Sequence, residues 1–332
     1  MRNCDLGEKI STVYIGGGSP TCIGAAQLFR LVEAVNSRWI NFEEFTIEAN
    51  PGQVEFDMLS SLRRVGVNRL SIGAQSFNQG ELDFLGRCHT VEDIDSAVRV
   101  AREADFENIS LDLIFAIPGS TISSWKNSLT RAIDLGVEHI SAYSLTYEKN
   151  TPLQQALARG EVQAISEEID RAMYELAIDE LAAAGIEQYE ISNFARPGYQ
   201  CLHNLGYWAN RPYAGIGPSA GAYLNGVRTS NIADIEAYVK AVEQGQSVIA
   251  QSCCTEPLER ACETAVLNLR RISGINLAEF KERTGYDATE LFTEPISRYE
   301  QQGLIARTQH SVLLTRQALA IADSVLCDFA AV

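Results

Sequence analysis

Residues 101–116 read AREADFENISLDLIFA: a stretch with helical spacing stops at a short polar break, and an apolar run of strand length follows. The same order returns as LRRVGVNRLSIG (62–73), AIDLGVEHISAYSL (132–145) and LAAAGIEQYEIS (181–192), where the break is Gly followed by Val or Ile. Strands are expected near 12–16 and 44–49 in the same series. Helix and strand alternating at this interval predict βα units around a parallel sheet, whose strands are covered on both faces. Open and closed parallel sheets share the pattern, and both place their ligand sites at the C-terminal ends of the strands.

In this chain polar residues gather at those ends: Gly16–Gly18, Glu48 and Asn50, Gln75 and Ser76, Asp112, and Tyr143 and Ser144. Any one of them reads as a helix cap or turn residue, whereas five successive strand ends read as one shared ligand site. The first end, STVYIGGGSPT (11–21), carries three consecutive glycines. They permit a sharp turn, and they equally expose main-chain N–H and C=O groups to a ligand. The stretch matches neither a Walker A loop nor G-x-G-x-x-G, so no nucleotide-phosphate motif follows from it.

The chain has 332 residues, 46% of them hydrophobic, enough for one large domain and a smaller one. It contains no signal-type segment and no apolar run of membrane-spanning length, which predicts a soluble, cytoplasmic protein. A net charge of −16 argues against general nucleic-acid binding and leaves room only for local basic pockets. The eight cysteines, at 4, 22, 88, 201, 253, 254, 262 and 327, form no C-x-x-C pair and read as reduced thiols. A Gly- and Pro-rich region at about 195–228 interrupts the series, and a helical stretch follows to about 250. From Thr255 onward, helices at 256–271, 276–284 and 288–302, a hairpin at 303–315 and a last helix outline a winged-helix domain. Few basic residues lie in its second and third helices, which favours a protein-interaction or lid role over DNA binding. The expected division is 1–250 and 251–332.

Taken together, STVYIGGGSPT, FTIEANPG (45–52), RLSIGAQSFN (69–78), LGRCHT (85–90), ISLDLIFAIPG (109–119), YSLTYEKNTP (143–152), YEISNFARPG (189–198) and HNLGYW (203–208) resemble one family. It is the HemW-like heme chaperones, relatives of the oxygen-independent coproporphyrinogen III oxidases within the radical S-adenosylmethionine (SAM) group. The resemblance implies an incomplete (β/α)6 barrel followed by a HemN-type C-terminal domain. It also implies a SAM site at Gly16, Gly17, Gly18, Ser19, Glu48, Gln75, Arg87 and Asp112, with the glycine-rich carbonyls accepting the SAM ammonium. The residue types suit such roles. Arg87 offers a guanidinium fork to the methionyl carboxylate, Gln75 and Asp112 accept ribose hydroxyls, and Glu48 balances positive charge. Apart from the resemblance, Arg87 and Glu48 read equally as solvated surface charges. His203 alone fits a hydrogen-bonded structural histidine, while the resemblance makes it a ligand to heme iron with Tyr207 and Trp208 flanking the porphyrin.

Two departures from the family pattern bear on this expectation. Gly221 in GPSAGAY stands where the family usually has histidine. The family's C-x3-C-x2-C motif, which holds a [4Fe-4S] cluster through three thiolates, is absent from the sequence. The expectation is that the first strand and cluster loop are missing, that Met1 is an internal or misassigned start or belongs to a truncated gene, and that no radical chemistry occurs in the chain as written. The implied function is a heme chaperone that passes heme to recipient hemoproteins, with membrane contact only peripheral and through those recipients. The rival is an oxygen-independent coproporphyrinogen III oxidase-like enzyme of porphyrin biosynthesis.

Overall fold

The computed structural model describes residues 10–330. These residues divide into two compact units that meet in sequence at Leu202 and His203. The boundary expected at 250 therefore falls inside the second unit, to which HNLGYW also belongs.

The first unit is a seven-stranded sheet. Its strands β1 (Thr12–Ile15), β2 (Glu44–Ala49), β3 (Arg69–Gln75), β4 (Ile109–Phe115) and β5 (His139–Ser144) pair in parallel, in sequence order. Helices Ala25–Asn36, Phe56–Arg64, Val91–Glu103 and Ile122–Asp134 cross between them. The recurrent break has a common physical form. Gly66, Gly136 and Gly185 adopt positive φ (101°, 67° and 74°), and Asp105 takes the same conformation at 63° in the repeat that lacks glycine. A left-handed residue lets the chain leave the helix and turn its next side chain inward. Val67, Val137, Ile186 and Phe106 occupy that next position and are at most 1% exposed.

The series changes after β5. LAAAGIEQYEIS supplies β6 (Glu187–Glu190), but β6 does not join β5. The strand β7 (Asn193–Ala195) turns back and pairs antiparallel with both, giving the order β1-β2-β3-β4-β5-β7-β6.

The strands are covered on both faces as expected, yet one face is polar. Alternate residues Glu44, Thr46 and Glu48 on β2 share a face, as do Arg69, Ser71, Gly73 and Gln75 on β3, Ser110 and Asp112 on β4, and His139, Ser141 and Tyr143 on β5. Arg69 is 2% exposed, and His139 and Ser110 are fully buried.

The second unit contains a three-stranded antiparallel sheet of β8 (Gly221–Leu224), β9 (Val227–Asn231) and β10 (Ile249–Cys254), where the sequence reading had an irregular region and a helix running to 250. The helix there is confined to Ile235–Glu243. The C-terminal part follows the winged-helix outline: helices Pro257–Leu269, Leu277–Thr284 and Thr293–Gln301, and a small sheet of β11 (Ile275–Asn276), β12 (Ile305–Arg307) and β13 (Ser311–Leu314). The single helix expected at 288–302 is two, Ala288–Leu291 and Thr293–Gln301, because Phe292 leaves helical geometry and its side chain is fully buried.

Candidate functional site

The C-terminal ends of β1 to β5 surround a cavity of about 390 Å3, within the range of about 300–1,000 Å3 common for small-molecule sites. Of the residues expected there, Gly18, Ser19, Glu48, Gln75, Arg87 and Asp112 line it, joined by Asn50, Tyr143 and Ser144. Ser76 instead turns to Glu81, with its hydroxyl 2.5 Å from the carboxylate.

Gly16 and Gly17 are not among the cavity walls, and their part is different from the one the sequence suggested. A Cβ at position 16 would sit 2.5 Å from the Glu48 carboxyl carbon and 2.7 Å from the Tyr14 ring. The Gly17 N–H donates to Glu48 Oε2 at 3.0 Å, and the Tyr14 hydroxyl donates to Oε1 at 3.1 Å. The bare strand end thus seats a carboxylate. Gln75 stands at the end of β3 in the left-handed region, φ 67°, and its amide nitrogen folds to 2.7 Å from where a Cβ on Gly73 would be.

Asp112 receives hydroxyl donors from Ser141 at 2.7 Å, Ser71 at 3.0 Å and Ser110 at 3.4 Å. Burial raises its pKa, opposed by Ser141, Arg69, Ser71 and Ser110. Burial also raises Glu48, with Asp112 adding repulsion and the Tyr14 and Gly17 donors opposing. The Tyr143 phenol is pushed up to about 12 by burial and by Asp112. A pair of half-buried acids thus faces one side of a cavity whose wall also carries Arg87, an exposed arginine with no side-chain ion pair among the described residues. The arrangement suits a ligand with a cationic group and a separate carboxylate. Cationic charge at the acids offsets their desolvation, and a guanidinium fork donates to the carboxylate.

Below the cavity, at the N-terminal strand ends, the polar face continues as a closed floor. Burial disfavours the Arg69 charge, but its pKa is nonetheless raised, with Glu44 the carboxylate that favours the charged form. Glu44 accepts from the Leu202 N–H at 2.8 Å and from the Cys201 thiol at 3.3 Å. His139 lies between Ser110 Oγ at 2.8 Å and the Tyr189 hydroxyl at 2.9 Å, and burial lowers its pKa well below the usual histidine value.

The residues expected at heme are placed separately. His203 and Tyr207 share a face of the helix Leu202–Trp208, with His203 Nε2 and the Tyr207 hydroxyl 2.9 Å apart, and Tyr207 meets Tyr213 edge-on at 4.6 Å. Trp208 engages another neighbour: Arg270 lies over its ring at 4.9 Å, and its indole N–H is buried without a hydrogen-bond partner. Gly221 has room for a side chain, its nearest neighbours being Thr229 O at 3.8 Å and Tyr213 Oη at 3.9 Å.

Ser71, Ser141, Tyr14 and Arg69 were not found from the sequence. Their signal was the period-two polar alternation along each strand, hidden because serine and threonine are ordinary strand residues.

The class of protein is defined by a parallel half-barrel with a polar cavity at its strand ends and a C-terminal winged-helix unit. This is the radical SAM architecture extended by a HemN-type domain: residues 2–132 match the radical SAM superfamily and residues 256–321 the HemN C-terminal domain. Within that class the chain belongs to the HemW family. It is 35% identical to heme chaperone HemW of Bacillus subtilis over 96% of this chain and 85% of the relative. It is 34% identical to heme chaperone HemW of Lactococcus lactis over 97% of this chain and 85% of the relative. In fold it is similar to the coproporphyrinogen III oxidase HemN of Escherichia coli, with a TM-score of 0.83 at 20% identity, covering 97% of this chain and 78% of that one.

Radical SAM proteins as a class use SAM and a [4Fe-4S] cluster, and the two fit these residues differently. The acid pair and Arg87 suit SAM. Among the described residues no group of three or more His, Cys, Asp or Glu side chains lies together as a metal site, and Cys4 falls outside the described residues. Also among the described residues, no helix is long and apolar enough to cross a membrane.

Proposed function

We propose that this chain is a heme chaperone that binds SAM in the half-barrel cavity and heme on the helix Leu202–Trp208, and that it passes the heme to hemoproteins. The observation that carries the heme reading is the extent of similarity to proteins named heme chaperone HemW, which spans nearly the whole chain.

For SAM, the supporting geometry is the separation of charge in the cavity. Glu48 and Asp112 receive the ammonium and sulfonium end, Arg87 receives the carboxylate, and Gln75 and Ser19 offer polar contacts to the ribose. Asp112 already accepts from serine hydroxyls, so its part is to fix negative charge more than to bind the ribose. SAM supplies a sulfonium whose positive charge this acid pair stabilises.

For heme, His203 is the iron ligand and Tyr207 its neighbour. Nε2 is shared with the Tyr207 hydroxyl, so ligation through that nitrogen exchanges a hydrogen bond for the metal. Trp208, on the same helix, is held against Arg270 and stands near the porphyrin edge.

The test sets the chaperone against the oxidase. The full chain is incubated anaerobically with hemin, and in parallel with coproporphyrinogen III, SAM and a reductant. Heme that stays with the protein through gel filtration, with coproporphyrinogen recovered intact, is expected. Decarboxylated product with no retained heme would overturn the reading.

A further inference from the structure

The second unit contains a cavity of about 230 Å3 that the heme and SAM sites do not use. Its walls come from the loop at Asn210, the β8–β9 turn at Asn225 and Gly226, and the helices that carry Arg260, Thr264 and Arg283. Both turn residues have positive φ, 53° and 78°, and the Arg260 guanidinium lies 3.6 Å from the position of a Cβ on Gly226. Arg260 has no side-chain hydrogen bond or ion pair among the described residues.

The second arginine is anchored by two backbone carbonyls and one ion pair. Arg283 donates to the carbonyls of Ala209 and Asn210, and its carboxylate neighbour Glu279 stands 3.6 Å away. Glu263 is already committed to Arg228, with contacts from 3.0 to 3.3 Å. Arg211 adjoins the cavity wall in sequence and has no side-chain partner among the described residues. Burial, together with Arg283 and Arg211, lowers the pKa of nearby Arg271 against the pull of Glu279.

In a chain of net charge −16 this excess of arginine around a cavity is a local inversion of sign. Guanidinium groups with fixed forks are the donors that recognise oxyanions, and Asn225 adds a side-chain amide to the same wall, while the Thr264 and Thr284 hydroxyls are spent on the Arg260 and Phe280 carbonyls.

We infer that this cavity is a binding site for a small multivalent oxyanion, a phosphate or a carboxylate, with Arg260 as the residue that contacts it and Arg283 as the anchored second cation. The site is independent of the heme and SAM readings. Phosphate and carboxylate share the recognition chemistry, and the two sources separate by probe.

The experiment is calorimetric titration of the full chain at low ionic strength with pyrophosphate and, separately, with citrate. The variants are Arg260→Gln, Arg260→Lys and the distant control Arg30→Gln, with thermal melts confirming that each folds. One-to-one binding is expected, weakened about tenfold or more in Arg260→Gln, less in Arg260→Lys, and unchanged in Arg30→Gln. A preference for pyrophosphate assigns a phosphate source, and a preference for citrate assigns a carboxylate source. No binding of either anion, or equal binding by wild type and Arg260→Gln, would overturn the inference.

Discussion

Glycine at position 16 is a steric condition for the placement of Glu48, because even a methyl group there would overlap the carboxyl carbon at 2.5 Å. Gly16→Ala should therefore displace Glu48 and weaken SAM binding about tenfold or more while costing on the order of 1–3 kcal/mol of stability. Equilibrium dialysis beside a urea melt separates the two effects, and undiminished binding would show that Glu48 has no part in the site. His139 provides a pH test. It is buried neutral, so the unfolded chain takes up a proton below about pH 6.5 that the folded chain refuses. Its stabilisation is complete above that pH and is lost as pH falls. His139→Gln should flatten the fall by up to about 1.4 kcal/mol per pH unit below 6.5. The raised Glu48 and Asp112 act in the opposite sense, favouring the fold as pH drops, and remain in both proteins. An unchanged slope in chemical denaturation across pH 5–7 would contradict the assignment. At this scale the sequence marked Glu48, Gln75, Arg87 and Asp112, since each is conspicuous at a strand end. It did not mark Tyr14, Ser71 or Ser141, whose importance comes from which strands become neighbours.

The repeated helix-to-strand junction was the most legible element, because one local rule governs it: a left-handed residue, then a buried apolar one. Asp105 is the exception that tests the rule, as it holds φ 63° where the sister repeats use glycine. Asp105→Ala should destabilise by about 1 kcal/mol and Asp105→Gly should not, as measured by urea midpoints. Equal loss in both would mean that the side chain, not the backbone conformation, matters. Less legible was β7, three residues placed between β5 and β6, because antiparallel insertion depends on pairing and not on periodicity. β10 was missed for a related reason: all six of its residues are exposed, so no apolar pattern announced a strand. Glu44, buried near Arg69, accepts the Leu202 N–H through its carboxylate. Glu44→Ala removes a buried countercharge as well as that acceptor, and a loss of about 3–5 kcal/mol is expected in denaturant titration. A loss under about 1 kcal/mol would mean that Arg69 is balanced by other groups.

Over the whole molecule, the polar face inside the half-barrel concentrates charge where the parallel strands end, and the second unit carries the aromatic and histidine face proposed for heme. The chain is acidic overall, but its buried and cavity-lining arginines, Arg69, Arg87 and Arg260, stand at separate places. Family membership was legible from motifs spread over the chain; the division at Leu202 and His203 was not, because it follows from packing and not from composition. The central claim is that His203 binds heme iron, and the most direct measurement is a hemin titration of the full chain followed in the Soret region, with wild type, His203→Ala and Tyr207→Phe compared. Wild type should give a shifted, saturable Soret band at one heme per chain, and His203→Ala should abolish it. Tyr207→Phe, relieved of the competing hydrogen bond, should retain the band with affinity equal or up to about tenfold tighter. The same shifted band and affinity in His203→Ala as in wild type would contradict the account.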